Sequence, residues 1–238
     1  MTEDWIKSAE TLFGVKLSEK QQEQFRTYEA LLLDWNSKIN LTAVRDSEGI
    51  RIKHFLDSLS CVPVLGDMNG RSLIDIGTGA GFPGIPLRIF YPELKLTLVD
   101  SVGKKADFCQ LAVNTLHLKD VKVLKDRSEE LGADKAHRER YDAAAARAVA
   151  GLPVLCEYLL PLVKTGGQML AMKGETAPEE TRTAAAAIQK LGGGEPALSE
   201  VHLPGVEGQR FLVSIPKISH TPPGYPRRTG LPLKKPIL

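Results

Sequence analysis

Glycines at alternate positions behind an aspartate form the most chemically suggestive segment of this 238-residue chain: Asp75-Ile76-Gly77-Thr78-Gly79-Ala80-Gly81-Phe82-Pro83-Gly84. An apolar run precedes it and a helix-compatible run follows, an arrangement that brings backbone amides close to a ligand. Within it, Gly79 to Gly84 spells GxGxxG, the fingerprint of dinucleotide-binding loops. The glycines begin earlier, however, at Gly77, and Asp75 stands just before them. A pyrophosphate is disfavoured beside a carboxylate, whereas a ligand carrying an ammonium and a sulfonium tolerates or uses one. Asp75 therefore favours a cationic ligand over a polyphosphate.

Three more places fit a nucleoside-bearing ligand. Asp100 closes the next strand, Leu98-Val99-Asp100, at the distance where a carboxylate holds ribose hydroxyls. For both aspartates, simple capping of the following helix is the alternative. Asp126-Arg127-Ser128-Glu129 follows the third strand, where a base would be met. Tyr141-Asp142-Ala143-Ala144-Ala145-Ala146-Arg147 is a strand of very small residues that delivers Arg147 to the carboxyl edge of a sheet, where open α/β folds bind substrates. A surface ion pair is the plainer reading of Arg147. Metal chemistry has no comparable signature. Cys61, Cys109 and Cys156 are widely spaced and form no CxxC, so neither a zinc knuckle nor a disulfide framework is expected.

These residues need a scaffold of alternating strands and helices. Apolar β-type runs fall at 72–76, 94–99, 121–124, 141–145 and 169–172, with helix-compatible stretches at 84–90, 104–116, 152–163 and 179–191. That alternation predicts parallel βαβ units in a doubly wound sheet. Two closer runs at 201–203 and 210–215 predict an antiparallel edge. Residues 1–68 read as a helical cap, with a capping box at Ser18 and Gln21 and apolar residues Phe25, Leu32, Trp35 and Ile39 at helical spacing. The central domain is placed at 69–216. The tail, 217–238, is too proline-rich for a helix or a central strand.

Composition narrows the class. With 42% hydrophobic and 25% charged residues the chain is neither disordered nor fibrous. No run approaches the length of a bilayer span, and the amino terminus MTEDWIKSAE lacks the order of a signal peptide, so a cytoplasmic, metal-free monomer is expected. The formal charge of +2 is unevenly placed: the tail holds Lys217, Arg227, Arg228, Lys234 and Lys235 and no acid, and without them the balance becomes −3. Prolines are expected to hold this tail extended, with Arg227, Arg228, Lys234 and Lys235 free for phosphates; Lys104 and Lys105 are added as candidate phosphate contacts. A solvated charge run without function is the alternative.

Assembled, these residues resemble the guanine-N7 methyltransferases of bacterial 16S ribosomal RNA, the GidB family. The likeness covers Trp35-Asn36-x-x-Ile39-Asn40-Leu41-Thr42, His54-Phe55-x-Asp57-Ser58, the glycine loop through Pro86, Ala146-Arg147-Ala148-Val149, and Tyr225-Pro226-Arg227-Arg228-x-Gly230-x-Pro232. It implies a Rossmann-like class I methyltransferase fold, S-adenosylmethionine as methyl donor, and one guanine of 16S RNA within the small ribosomal subunit as acceptor. Carried over, cofactor contacts fall on Gly77, Phe82, Ser128, Glu129 and Arg147. Charge and position add Asp75 and Asp100, and the loop itself adds Gly79 and Gly81. Arg147 is the expected catalytic residue. Asn40, His54 and Asp57 line a substrate entrance or form an interior polar network. Rival classes are an NAD-dependent oxidoreductase, a small-molecule methyltransferase and a non-catalytic RNA-binding module.

Overall fold

A computed structural model describes residues 4–238, so the first three residues of the acidic amino terminus lie outside it. The cap holds α1 (Asp4–Phe13), α2 (Glu19–Asn36), α3 (Ser47–Ile50), a π-helical turn (Arg51–Leu56), α4 (Asp57–Leu59) and α5 (Val62–Leu65). The central region follows as β1 (Ser72–Ile76), α6 (Gly84–Phe90), β2 (Lys95–Val99), α7 (Gly103–Thr115), β3 (Val121–Leu124), α8 (Ser128–Ala133) and β4 (Tyr141–Arg147). It continues through α9 (Leu152–Leu159), β5 (Val163–Lys173), α10 (Ala177–Thr183), α11 (Ala185–Lys190), β6 (Ala197–Val201) and β7 (Arg210–Pro216), and one turn, α12 (Leu231–Lys234), ends the chain.

The strands form one sheet in the order β3-β2-β1-β4-β5-β7-β6. The first five are parallel, and β7 runs antiparallel to both neighbours. Strand order reverses between β1 and β4, which opens a crevice at their carboxyl ends. Register makes that edge level: Ile76 pairs with both Val99 and Ala146, so Gly77, Asp100 and Arg147 are the next residues of three adjacent strands.

Alternation along each strand feeds two cores. Leu73, Ala143, Ala145 and Leu170 face α6, α7 and the cap, whose Phe25, Tyr28, Leu32 and Phe55 belong to the same apolar cluster. Ile74, Ile76, Ala144, Ala146 and Met169 face α8 to α11. The cap is thus welded to the sheet by shared burial. Ser18 forms the expected capping box with Gln21, whose amide also donates to the carbonyls of Ile89 and Phe90 at the end of α6, both at 2.9 Å. Cys61, Cys109 and Cys156 are free and buried, and burial pushes all three thiols up. Among the described residues, no helix is long and apolar enough to cross a membrane.

Several expectations need correction. The helix expected at 152–163 ends at Leu159, and Val163 already opens β5. The stretch 179–191 is two helices that meet at Ala184. The edge strand is Ala197–Val201 rather than 201–203, since its mostly exposed residues carry no apolar pattern. The tail contains a helical turn and is docked on the body instead of standing off. Lys217, 1% exposed, donates to the carbonyls of Leu160 and Leu191 at 3.0 and 2.9 Å, and burial lowers its ammonium to about 8. It anchors the tail and offers nothing to a phosphate.

Candidate functional site

The loop after β1 depends on glycine at each alternate position. Gly77, Gly79 and Gly81 all have positive φ, 65°, 63° and 96°, a region that side chains disfavour. Their surroundings differ. A Cβ on Gly77 would lie 2.5 Å from Val149, and one on Gly81 would lie 2.7 Å from the Tyr28 hydroxyl. A Cβ on Gly79 would meet nothing closer than a carbonyl oxygen at 4.0 Å. Two glycines admit neighbours of the chain itself, and the middle one is open on its outer side.

Both loop aspartates turn out to work on the backbone. Asp75 is fully buried beneath the loop; its Oδ2 accepts from Gly84 N–H, at the start of α6, at 2.9 Å and from Thr78 Oγ1 at 2.6 Å. Burial, opposed by those two hydrogen bonds, pushes its carboxyl up to about 7, and Oδ1 is without a hydrogen bond among the described residues. These bonds are those of the helix-capping alternative: Asp75 holds the start of α6 and Thr78 from beneath the loop. Asp100 Oδ2 accepts from Gly79 N–H and Oδ1 from Val102 N–H, both at 2.9 Å, which draws the loop against the end of β2.

A cleft opens beside this turn. Gly77, Asp100, Ser128 and Glu129 line it, together with Asp126, Arg127, Val149 and Tyr158. Three acidic residues and one arginine thus line it, a poor setting for a pyrophosphate and a suitable one for a ligand with hydroxyls and positive charge. Ser128 Oγ donates to the Tyr158 carbonyl at 2.6 Å, and Glu129 Oε1 accepts from Gly230 N–H at 2.9 Å. Phe82 takes no part in this wall: its buried ring lies between His54 and Tyr28, with centroids at 4.6 and 5.6 Å.

Arg147 faces a second space, a groove of about 700 Å³ between the cap, the ends of β4 and β5, and the loop before β7. Its guanidinium sits 4.8 Å over the Phe82 ring and pairs through Nη1 with Asp57 Oδ2 at 3.0 Å. Arg210 approaches the other Asp57 oxygen at 3.6 Å. Burial raises the Asp57 carboxyl, and the two arginines oppose that shift. His54, 3.3 Å from Arg147 Nη2, is lowered to about 3 by burial and then by the arginine charge, so it stays neutral. The π-helical turn supplies Lys53 and His54 to this groove, a wider turn of the kind often found at functional sites. Past Arg147, Ala148 adopts φ 55°, and Val149 is packed over Gly77 in the cleft wall. One short segment therefore serves both spaces.

Arg147 is thus an ion-pair residue, but a half-buried one that lines the groove, two residues before Val149 of the cleft wall, rather than a surface one. His54 and Asp57 both line the groove and form a polar network. Asn40 is exposed and does neither; the structural amide is Asn36, which accepts from Leu41 and Thr42 N–H at 2.9 and 3.0 Å. Trp35 packs against Phe108 as a core residue. Lys104 is exposed and Lys105 half-buried in the first turn of α7. Arg228, Lys234 and Lys235 are exposed and make no salt bridge among the described residues. Arg227 is not free: its guanidinium grips Glu157, with a closest approach of 2.6 Å. Arg210, Lys53 and Lys173 line the groove unforeseen, because nothing in their local sequence marks them.

Known proteins share the sequence and the fold. The family model for rRNA small subunit methyltransferase G, GidB, matches residues 21–210. A protein of that description from Roseiflexus castenholzii is 51% identical over 96% of this chain and 97% of its own length. One from Acetivibrio thermocellus is 47% identical over 94% and 92%. Among solved structures, a SAM-dependent methyltransferase from Aquifex aeolicus shares the fold with a TM-score of 0.54 at 17% identity, over 77% of this chain and 97% of that one. An O-methyltransferase from Thermotoga maritima does so with a TM-score of 0.53 at 15% identity, over 79% and 72%. The fold is that of class I methyltransferases, and the chain belongs to the GidB family of ribosomal RNA small subunit methyltransferases.

Proposed function

We propose that the chain transfers a methyl group from S-adenosylmethionine to N7 of one guanine in the 16S RNA of the small ribosomal subunit. The observation that carries this reading is the segment from Arg147 to Val149, which presents Arg147 to a groove of about 700 Å³ and Val149 to the acidic cleft beside it. Asp100, with the backbone of Gly77 and the Ser128–Glu129 pair, would hold the adenosine portion; the cleft's carboxylates suit ribose hydroxyls and a positive ligand. When bound, S-adenosylmethionine supplies an activated methyl group. Guanine N7 has a lone pair and no proton to lose, so the chain need supply no general base, and His54, held neutral, is not asked to act as one.

The protein's task is then alignment, which contributes about 7–11 kcal/mol when geometry is good. Arg147, fixed by Asp57 and stacked on Phe82, has donors suited to a base edge. Lys53 and Arg210 stand nearby for the RNA backbone, although Glu175 and Glu207 on the same rim keep the groove close to charge balance. That balance favours an extruded base over a run of phosphates, in line with the usual recognition of unstacked bases in RNA. The test is to incubate the protein with methyl-labelled S-adenosylmethionine and small subunits from cells lacking the activity, then map the product. Label at N7 of a single guanine is expected. No incorporation, or label at another atom or on several bases, overturns the reading.

A further inference from the structure

We propose that the C-terminal segment 225–230 is a working part of the cofactor site, with Arg227 as a positioning residue for the α8 wall. This rests on the reading of the acidic cleft as the S-adenosylmethionine site.

Four links close a ring. The Arg227 backbone N–H donates to Glu157 Oε1 at 2.7 Å, and its guanidinium spans both carboxylate oxygens, at 2.9 Å from Nε to Oε1 and 2.6 Å from Nη2 to Oε2. The next residue of α9, Tyr158, lines the cleft, and its carbonyl accepts from Ser128 Oγ. Ser128 leads into Glu129, a second cleft residue, whose Oε1 accepts from Gly230 N–H. Gly230 returns the path to the tail, three residues past Arg227. The two tail links join residues 70 and 101 apart in sequence, so neither is a by-product of local chain geometry.

The body is built to receive this segment. Glu157 is 1% exposed, and among the described residues every hydrogen bond to its carboxylate comes from Arg227. Without the tail, that charge would be buried and unpaired. On α8, a Cβ on Gly132 would lie 2.8 Å from the Pro226 ring, so glycine there permits the tail's close approach. Arg138 bridges the two partners by donating to the carbonyls of Gly132 and Thr221 at 3.0 and 2.8 Å. Nucleic-acid contact alone would not require such a socket, because a phosphate-binding arginine is best left unpaired.

The experiment compares Arg227→Ala, Arg227→Lys and Glu157→Gln in the full chain. S-adenosylhomocysteine binding is measured by calorimetry, KM and kcat by methyl transfer to small subunits, and subunit affinity separately. Arg227→Ala is expected to weaken S-adenosylhomocysteine binding by about tenfold and to raise the donor KM similarly with kcat little changed. Arg227→Lys should recover part of the loss. Should Arg227→Ala fail to fold, Glu157→Gln, which keeps size and packing, is expected to show a loss of about threefold. Unchanged cofactor affinity with weakened subunit binding would make Arg227 an RNA contact only and overturn the proposal. If the unaltered chain does not bind S-adenosylhomocysteine at all, the reading of the cleft falls, and this proposal falls with it.

Discussion

The cap and the tail are both peripheral segments tied to the central domain by an arginine–carboxylate pair, with opposite polarity. In the cap the segment brings the carboxylate, Asp57, and the sheet brings Arg147; in the tail the segment brings Arg227 and the body brings Glu157. Their other attachments differ more. Phe55, Leu56 and Leu59, beside Asp57, are fully buried in the core shared with the sheet. The tail's apolar anchoring is smaller, with Pro232 buried but Tyr225 and Ile237 only partly so, and polar links add to it. A cap held by hydrophobic burial can use its ion pair to orient a functional arginine. In the tail, the ion pair is one of several polar attachments, beside the bonds of Lys217, Arg138 and Glu129.

That contrast can be broken from either side. The largest effect is expected from Arg147→Ala, which should lower methyl incorporation into small subunits by about 10²–10³-fold, while circular dichroism shows the cap still helical. Near-normal turnover would remove Arg147 from the site. Next comes proteolysis: Arg227→Ala should speed tryptic cleavage after Arg228 by about tenfold, because the attachment opens locally, whereas Asp57→Asn should not speed cleavage in the cap. Equal sensitivity of the two segments would erase the distinction between them.

Smaller effects sharpen it. Replacing Arg228, Lys234 and Lys235 together by alanine should reduce the log–log salt slope of RNA binding by roughly 2, at about 0.7 per phosphate contact on single strands, and leave S-adenosylhomocysteine affinity alone. Had Arg227 also been free, four contacts would have given roughly 3. The smallest effect concerns His54. Its folded pKa lies below the ordinary 6.5, so the unfolded chain takes up the proton first as pH falls through 6.5 toward about 3, and stability is lost over that window. Urea titrations of His54→Gln should therefore show a decline smaller by about 2–3 kcal/mol between about pH 7 and about pH 4.5. Parallel curves for variant and parent would mean that His54 does not titrate differently on folding.

Legibility in sequence followed the range of the interactions. β1 and β3 were readable to the residue because alternation and flanking turn residues are local signals. The end of α9 was not, since Leu160, Pro161, Leu162 and Val163 are apolar and buried whether they continue a helix or open a strand. β6 escaped notice because its stability comes from hydrogen bonding to β7 rather than from burying its own side chains. That Gly77, Asp100, Ser128 and Glu129 lie along one cleft was legible because consecutive βα units place the ends of their strands side by side; Gly79 and Gly81 lie outside its lining. For Asp75 the charge type was visible, but not its burial beneath the loop. The pairs Asp57–Arg147 and Glu157–Arg227 span 90 and 70 residues, and no local pattern announces a partner at that distance.

The three buried thiols leave this protein without a cysteine that surface reagents readily reach. A single fluorophore or spin label attached through Leu233→Cys, at an exposed position of the tail, would therefore report on that segment alone. Its distance to a second label on the cap would follow both flanks of the crevice as a ribosomal subunit arrives, with no native cysteine removed.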